Sequence, residues 1–317
     1  MTRIAASFLL FLVTSIAAAQ PYPARPVRVL VGFPPGGGTD IAARLLTPKL
    51  SEYLGQQFVV ENRPGATTNI ASDLVAKSAP DGQTLLFTTS ALAINMSLYK
   101  NLGFDALRDF APVSVFAEAP NLLVANQNAP ASVAELVAQA RARPGSMNYS
   151  SAGSGTTQHL AGELFKVRSG TDILHIPYKG TAASLTAVIA GEVQFSFANV
   201  PAILGHVKNG RLRALAVAGA RRSGLMPEVP TMKEAGVEGV EIPVWYALLA
   251  PAATPREIVN VLGNATARAA RSPDTRQKLI EQGADPIGNS PEEFATLLRE
   301  EVAKYAEVVK LSGAKAE

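Results

Sequence analysis

Two loops rich in small residues are the stretches of this sequence best suited to chemistry. The first, Gly36-Gly37-Gly38-Thr39-Asp40, follows the apolar run at 27–31 and precedes a helical pattern that ends at Gly55. The second, at 151–157, lies between a short strand pattern and an amphipathic helix pattern. Glycines let a ligand approach the backbone closely, and the first amides of a helix have no partner within the helix. Both loops are therefore candidate anion sites in which backbone N–H groups are the donors.

The first loop does not match the known nucleotide-binding motifs. A P-loop requires a Lys that is absent here, and the dinucleotide fingerprint requires a small residue at position 41, where this chain has Ile41. A tight turn without any ligand explains the glycines of this loop equally well. Thr39 or Asp40 stands where a helix N-cap is expected, so Asp40 is either a structural cap or a binding residue.

A third polar group lies at the end of a predicted strand. The strand pattern at 84–88 leads into Thr89, Ser90 and Ala91. Ligands of open α/β sheets collect at the carboxyl ends of strands, which makes Ser90 a candidate site residue. An ordinary turn serine is the alternative interpretation.

Short apolar strands alternate with helical patterns along the chain, which predicts an α/β fold with mostly parallel sheets. A capping box of Ser132 and Glu135 predicts the start of one helix, and Pro201, with Asn199 near the cap, predicts the start of another. A mature chain of about 300 residues exceeds the usual size of a single core, so we expect two domains. Further strands are predicted at 58–60, 122–125, 147–150, 173–178, 193–197, 213–218 and 244–250.

Residues 1–19 have the pattern of a signal peptide. Arg3 is followed by an apolar segment at 4–16 and by Ala17-Ala18-Ala19, which predicts export to the periplasm and cleavage after Ala19. No later run reaches the about 18 uninterrupted apolar residues of a membrane-spanning helix. The chain has no Cys, which excludes disulfides, thiolate metal sites and a lipid anchor on an N-terminal Cys.

The charge pattern argues against a nucleic-acid partner. The 29 Lys and Arg residues nearly balance the 26 Asp and Glu residues, and no basic run with interleaved aromatics occurs. The slight positive excess would help to attract anionic ligands, although so small an excess is also common on ordinary surfaces.

The histidines and serines do not form an enzyme motif. His159, His175 and His206 lack the spacing of a metal site, and we interpret each as structural. The nucleophile elbow GxSxG is absent around Ser154, because Ala152 and Thr156 stand where glycines are required. We therefore expect no enzyme activity, no catalytic residue, no metal and no cofactor.

Several separated stretches of the chain resemble the Bug proteins, the periplasmic substrate-binding receptors related to the tripartite tricarboxylate transporter. They cover the whole mature chain in the family's order: FPPGGGTD at 33–40, ENRPGA at 61–66, APDGQTLLFTTS at 79–90, FAPVSVFAEAPNLLV at 110–124, SAGSGTTQHLAGELF at 151–165, HIPYKGTAASL at 175–185, LRALAVAGARRSGLMPEVPTMKEAG at 212–236 and APAATPREIV at 250–259.

This resemblance implies the type II periplasmic-binding-protein fold, a Venus flytrap in which two α/β domains enclose a cleft. The first domain would be discontinuous and would comprise 20–122 and 246–317, and the second would comprise 123–245. Closure would be favoured only as far as the ligand contacts both domains at once.

The resemblance also implies that the two loops hold a ligand carboxylate, mostly through backbone amides, small hydroxyl groups and ordered water. Where the family often has Asp, this chain has Ala198, so a carboxylate able to meet an ammonium group is missing and an amino-acid ligand is disfavoured. The implied ligand-binding residues are Phe33, Gly37, Gly38, Thr39, Asp40, Ser90 and Ala91 from the first domain, and Ser151, Ala152, Gly155, Thr156, Thr157, Tyr178 and Asn199 from the second.

The implied function is that of a monomeric solute-binding receptor for a small organic acid. The ligand would be a carboxylate or dicarboxylate, including an aromatic acid, and the closed receptor would be recognised by membrane permease subunits of a tripartite tricarboxylate-type transporter. Two alternatives stay open: a ligand sensor for a two-component kinase, and, less favoured, a hydrolase.

Overall fold

The computed structural model describes residues 22–316, and these residues form two β-sheets with helices between and around the strands. The predicted signal peptide at 1–19 lies outside the described residues. The strands are β1 (Val27–Val31), β2 (Phe58–Asn62), β3 (Thr84–Thr89), β4 (Phe110–Ala119), β5 (Asn121–Ala125), β6 (Asn148–Ser151), β7 (Leu174–Pro177), β8 (Phe195–Asn199), β9 (Arg213–Ala218), β10 (Val244–Pro251) and β11 (Asp285–Pro286).

The helices alternate with the strands as the sequence predicts. They are α1 (Gly38–Leu54), α2 (Asn69–Ala76), α3 (Ala91–Leu98), α4 (Val133–Ala142), α5 (Thr157–Ser169), α6 (Thr181–Ala190), α7 (Val200–Lys208), α8 (Arg256–Arg271), α9 (Pro273–Glu281) and α10 (Pro291–Ser312). None of these helices of the described chain is long and apolar enough to cross a bilayer.

Both sheets have a parallel part and an antiparallel part, and the predicted α/β class is confirmed. The first sheet has the order β11-β4-β10-β3-β1-β2, and the second has the order β7-β6-β8-β5-β9. The β1–β2, β1–β3, β6–β7 and β6–β8 pairs are parallel, as βαβ units require. The antiparallel pairs all involve β4 or β10 in the first sheet and β5 in the second.

The strands that run antiparallel are those next to the crossings between the sheets. Only Pro120 separates β4 of the first sheet from β5 of the second. The chain returns to the first sheet through 219–243, which joins β9 to β10. All eight residues of β10 are buried, as expected for an apolar strand at the centre of a sheet covered on both faces.

Helix α10 connects the cores of the two sheets. Its buried side chains Phe294, Leu298 and Tyr305 belong to a hydrophobic cluster that also contains Leu92 of α3 and Phe165 of α5. The second sheet therefore does not pack alone, because the carboxy-terminal helix contributes to a core shared by both sheets.

Two local predictions are corrected by the structure, and one strand was not predicted. Helix α1 begins at Gly38 with Gly37 as its N-cap, so neither Thr39 nor Asp40 caps it. The strand predicted at 193–197 lies two residues later, and β4 had no strand prediction from periodicity. Asn199 does cap α7, and Ser132 accepts a hydrogen bond from the Glu135 amide as the capping box predicts.

Candidate functional site

Four helices begin at the wall of one small cavity, which has a volume of about 30 Å³ and lies between the two sheets. We call it the inner cavity. Its wall includes the first residues of α1, α5 and α6 and the N-cap of α7, namely Gly38, Thr39, Thr157, Gln158, Thr181, Ala182 and Asn199. Each helix start carries unpaired amides and the positive end of the helix dipole, so the inner cavity suits an anion.

The caps of these helices leave amides free for a ligand. No side chain accepts a hydrogen bond at the caps of α1, α6 and α7. At α5, Thr156 Oγ1 accepts a hydrogen bond at 3.2 Å from the amide of His159, the third residue of the helix. The amides of the first two helical residues are left without a cap partner. The unpaired donors of a helix start therefore remain at each side of the inner cavity.

Gly38 brings the two sheets into close approach. A Cβ atom at this position would lie 2.6 Å from Asn199 Oδ1 and 2.7 Å from the Tyr246 hydroxyl. Both of these buried oxygens have no hydrogen-bond partner among the described residues. Burial raises the pKa of Tyr246, so its hydroxyl keeps its proton and remains a donor.

A second cavity of about 500 Å³ adjoins the inner cavity, and we call it the outer cavity. The two share five residues of their walls, Phe33, Pro34, Ala152, Lys179 and Gly180. The outer cavity also contacts Ser154, whose hydroxyl is buried and has no partner among the described residues. A ligand with one group in the inner cavity therefore has room for the remainder in the outer one.

The charge of this cleft is positive. Among the described residues that line either cavity, Lys179 is the charged one, and it contributes to both walls. Because no carboxylate stands in either wall, nothing there compensates a cationic group of a ligand. The cleft therefore favours an anionic ligand over an amine.

The structure brings nine of the fourteen residues predicted for the site to the walls of these cavities. Eight line the inner cavity, and the ninth, Tyr178, lines the outer one; the eight are Phe33, Gly37, Gly38, Thr39, Ala152, Thr156, Thr157 and Asn199. The other five, which lie outside both walls, are Asp40, Ser90, Ala91, Ser151 and Gly155.

The Asp40 carboxylate holds the glycine loop in place through hydrogen bonds within the protein. Its carboxylate accepts hydrogen bonds from the Gly36 amide at 3.1 Å, from Arg44 Nε at 3.0 Å and from Asn62 Nδ2 at 2.9 Å. Burial alone would raise the pKa of Asp40, but the bonds from Arg44, Asn62 and Gly36 together hold it below its usual value. Asp40 is thus fully occupied in joining the loop to β2.

Thr89, one residue before the predicted position, is the strand-end residue that lines the inner cavity. The Ser90 hydroxyl accepts a hydrogen bond from the Trp245 amide at 3.2 Å, and the Ala91 amide donates to Thr89 Oγ1 at 3.3 Å. Both Ser90 and Ala91 are buried. These residues join β3 to the crossing strand β10 instead of facing the cleft.

Ser151 and Gly155 are bound to two buried histidines. Ser151 Oγ lies 2.7 Å from His175 Nε2, and the Gly155 amide donates to His159 Nδ1 at 3.2 Å. The Ser151–His175 distance is that of a hydrolase pair, but Ser151 is completely buried and lines neither cavity.

Nine residues of the inner wall were not among the predicted site residues. The stretch Lys179-Gly180-Thr181 carries the missed signal, because it places a glycine and a small polar residue directly before a helix, as the two predicted loops do. The nine residues are Pro34, Pro35, Thr89, Gln158, Lys179, Gly180, Thr181, Ala182 and Val244. In the described part of the chain no cluster of three His, Asp or Glu side chains is arranged to hold a metal.

Comparison with known proteins gives the family of this chain. The model of the family described as "Tripartite tricarboxylate transporter family receptor" matches residues 42–313. The chain belongs to this receptor family. The resemblance to the Bug proteins is confirmed by the Bordetella pertussis protein BugT, which is 39% identical over 322 residues and covers 99% of both chains.

Two solved structures share the fold over more than nine-tenths of this chain. The structure of Rpa4515 from R. palustris with adipate has a TM-score of 0.90 and 39% identity, and covers 93% of this chain and 100% of its own. MatC (Rpa3494) from Rhodopseudomonas palustris with bound malate has a TM-score of 0.87 and 32% identity, and covers 91% of this chain and 100% of its own. The predicted two-domain binding-protein fold is therefore confirmed at the level of the family.

Proposed function

We propose that this receptor captures a small organic dicarboxylate between its two domains in the periplasm and presents it to a tripartite transporter. The observation that supports this most directly is the inner cavity, where four helix starts from both sheets meet without any carboxylate in the wall. Such a site offers a carboxylate several donors without a salt bridge. A charge-assisted hydrogen bond from each amide contributes about 1.5 to 3 kcal/mol.

The sizes of the two cavities support a ligand with a small head and an extended body. A cavity that holds one water molecule has a volume of about 10 to 15 Å³, so the inner cavity of about 30 Å³ suits the two oxygens of one carboxylate. The body of the acid would extend into the outer cavity beside Lys179. Adipate and malate, which the related structures contain, have this form.

We propose domain boundaries that follow the two sheets. The first domain comprises 20–122 and 246–317, and the second comprises 123–245; the crossings at Pro120 and before β10 lie close to these limits. A ligand bound to α1 on one side and to α5 and α6 on the other would favour the closed arrangement by its contacts to both. We further propose that the mature monomer begins at Gln20, after signal cleavage.

A ligand screen on the mature chain, residues 20–317, tests the proposal. Ligands that bind only the folded state raise the melting temperature, so adipate, malate and other dicarboxylates should raise it more than glutamate or aspartate. Calorimetry would then give the affinity of each acid. A screen in which no organic acid stabilises the protein, or in which only amines do, would contradict the proposal.

The partner is tested separately from the ligand. Deleting the gene should abolish uptake of the acid that binds and leave the transcription of its own operon unchanged. Loss of the transcriptional response with normal uptake would instead identify the partner as a sensor kinase. Turnover of esters or amides by the purified protein would revive the hydrolase alternative.

A further inference from the structure

Three aromatic rings form a buried stack directly beneath the second loop. The rings of His159 and His175 lie 4.2 Å apart and are nearly parallel, and the ring of Tyr149 stacks on His175 at 4.8 Å. The three residues come from α5, β7 and β6, and all are at least nine-tenths buried. None of them lines either cavity, so direct contact with a ligand does not explain this arrangement.

The two imidazoles are bonded to the loop that lines the cleft. His159 Nδ1 accepts a hydrogen bond from the Gly155 amide at 3.2 Å. His175 Nε2 lies 2.7 Å from Ser151 Oγ, which in turn accepts from the Gly153 amide at 3.1 Å. Gly153 and Gly155 both have positive φ angles, of 129° and 91°, so these bonds fix backbone conformations that glycine reaches easily but does not hold by itself.

The geometry points to His159 and His175 as positioning residues that keep the second loop in its ligand-binding shape as long as His159 is neutral. A nitrogen that accepts a hydrogen bond carries no proton, so protonation of His159 Nδ1 removes the acceptor of the Gly155 amide. The freed loop lies next to Thr156 and Thr157, which line the inner cavity. This inference rests on the proposed function only for its effect on binding.

Burial keeps His159 neutral at ordinary pH, and the charges around the stack modify this effect. Burial lowers the pKa of His159 to about 4; Glu163 opposes this shift and Lys166 adds to it. The Glu163 carboxylate is already occupied, since it accepts from Tyr149 OH at 2.8 Å and from Lys166 Nζ at 2.9 Å. Burial, the neighbouring His159 and Lys166 lower the pKa of His175 to about 3. The loop should therefore be held above about pH 5 and released near pH 4.

The first test needs no ligand. In the NMR spectrum of the free protein, the amide signal of Gly155 should follow the titration of His159, with a midpoint near pH 4. In His159→Asn the side-chain oxygen takes the place of Nδ1 as acceptor, so the Gly155 signal should stay near its neutral position throughout. A Gly155 signal that is identical in wild type and His159→Leu, or that titrates equally in His159→Asn, would overturn the inference.

The second test measures binding, with adipate as the probe. His159→Leu should bind about tenfold more weakly at neutral pH, the equivalent of one lost hydrogen bond, whereas His159→Asn should bind like wild type there. Near pH 4 the protonation of adipate itself weakens binding to every variant, but wild type should lose more affinity than His159→Asn does. His206→Asn on α7, outside the stack, is the matched control and should behave like wild type at both pH values. Equal acid sensitivity in all four proteins would contradict the role of His159.

The two tests separate the possible failures. If wild type does not bind adipate or any other acid, the proposed function fails, while the Gly155 signal still decides whether His159 holds the loop. If His159→Leu does not fold, the wild-type titration and His159→Asn remain sufficient, because the wild type keeps the stack and His159→Asn keeps an acceptor for the Gly155 amide.

Discussion

Gly38 is a residue at which one added methyl group should separate the two domains. Its Cβ would lie 2.6 Å from Asn199 Oδ1 and 2.7 Å from the Tyr246 hydroxyl, far below van der Waals distance, and Asn199 belongs to the second sheet. We expect Gly38→Ala to lower the affinity for the ligand at least about tenfold, because the contact with Asn199 obstructs domain closure. The contact with Tyr246 lies within the first sheet, so the melting temperature should fall as well, although the hydroxyl stands at the end of its side chain.

The matched control is Gly205→Ala on α7, where a Cβ would meet nothing within 4 Å. Calorimetry with the acid found by the screen, together with thermal unfolding, checks both variants. Equal affinities for Gly38→Ala and Gly205→Ala would show that the close approach at Gly38 has no part in binding.

Lys179 should discriminate between acids by their charge. Among the described residues that line the two cavities, Lys179 alone carries a charge, and it lines both. Its side chain is exposed, so an ion pair with a ligand carboxylate contributes about 1 kcal/mol. We expect Lys179→Met to weaken a dicarboxylate about fivefold and a monocarboxylate of the same length much less. Lys208→Met, an exposed lysine of α7, serves as the control for total charge. An equal loss of affinity for the dicarboxylate and the monocarboxylate would show that Lys179 does not contact the second carboxylate of the ligand.

Residue types alone did not reveal which polar groups face the cleft. Asp40 and Ser90 were as plausible as Thr89 from sequence, but the first is bound by Arg44 and Asn62 and the second by the backbone of β10. Arg44 is a local partner on the same helix, but Asn62 and the backbone of β10 are distant in the chain, so no local pattern signals them. Gly37 and Gly38 of the first loop do line the inner cavity, and they were predictable because a close approach to the backbone requires the absence of a Cβ.

The start of helix α5 depends on the hydroxyl group of Thr156, which makes two hydrogen bonds. Thr156 Oγ1 accepts from the His159 amide at 3.2 Å and donates to the Gly153 carbonyl at 2.7 Å. Removing both should cost about 1 to 2 kcal/mol of unfolding free energy, as expected for loss of a helix cap. We therefore expect Thr156→Ala to be less stable in urea and to bind the ligand more weakly.

The comparison variant is Thr186→Ala within α6, an exposed threonine whose hydroxyl bonds only to the helix backbone. It should change the urea midpoint little, since alanine is a better helix former than threonine. If Thr156→Ala were as stable as Thr186→Ala, the cap would not hold the second loop.

The elements were predictable where apolar runs are continuous and turns contain glycine or proline. Strand β4 was not predicted because Pro112, Ser114 and Glu118 interrupt its apolar pattern. Its strand conformation depends on pairing with β10, which lies more than a hundred residues later in the chain. The two anion loops were predicted because each lies between a strand and a helix. The start of α6 has the same form, and its strand was predicted at 173–178, but Lys179-Gly180-Thr181 contains a single glycine and so did not stand out as an anion loop.

At the scale of the whole molecule, several contacts join the two sheets around the cleft, as expected for a closed receptor. Pro34 lies against Gly180, Gly38 lies against Asn199, and Tyr99 OH donates to the Ser154 carbonyl at 3.2 Å. Away from the cleft, Arg221 from the segment after β9 forms an ion pair with Asp285 of β11 at 2.7 Å. Pairing across strands of distant sequence sets this arrangement, so the sequence predicted the existence of two domains but not their contacts.

The position of Trp245 makes closure measurable. It is the only tryptophan of the chain, it lies at the start of β10 where the chain crosses between sheets, and its indole donates to Glu301 of α10 at 3.1 Å. Ligand should therefore change the fluorescence of Trp245 and reduce the radius of gyration in solution scattering, because both report the same hinge movement. Tyr99→Phe removes only the bond to Ser154, so it should shift the free protein towards the open form and weaken binding by about threefold to tenfold. Unchanged scattering and fluorescence on addition of a saturating ligand would mean that the protein binds without closing, and the contacts of α1 with the second sheet would then be permanent.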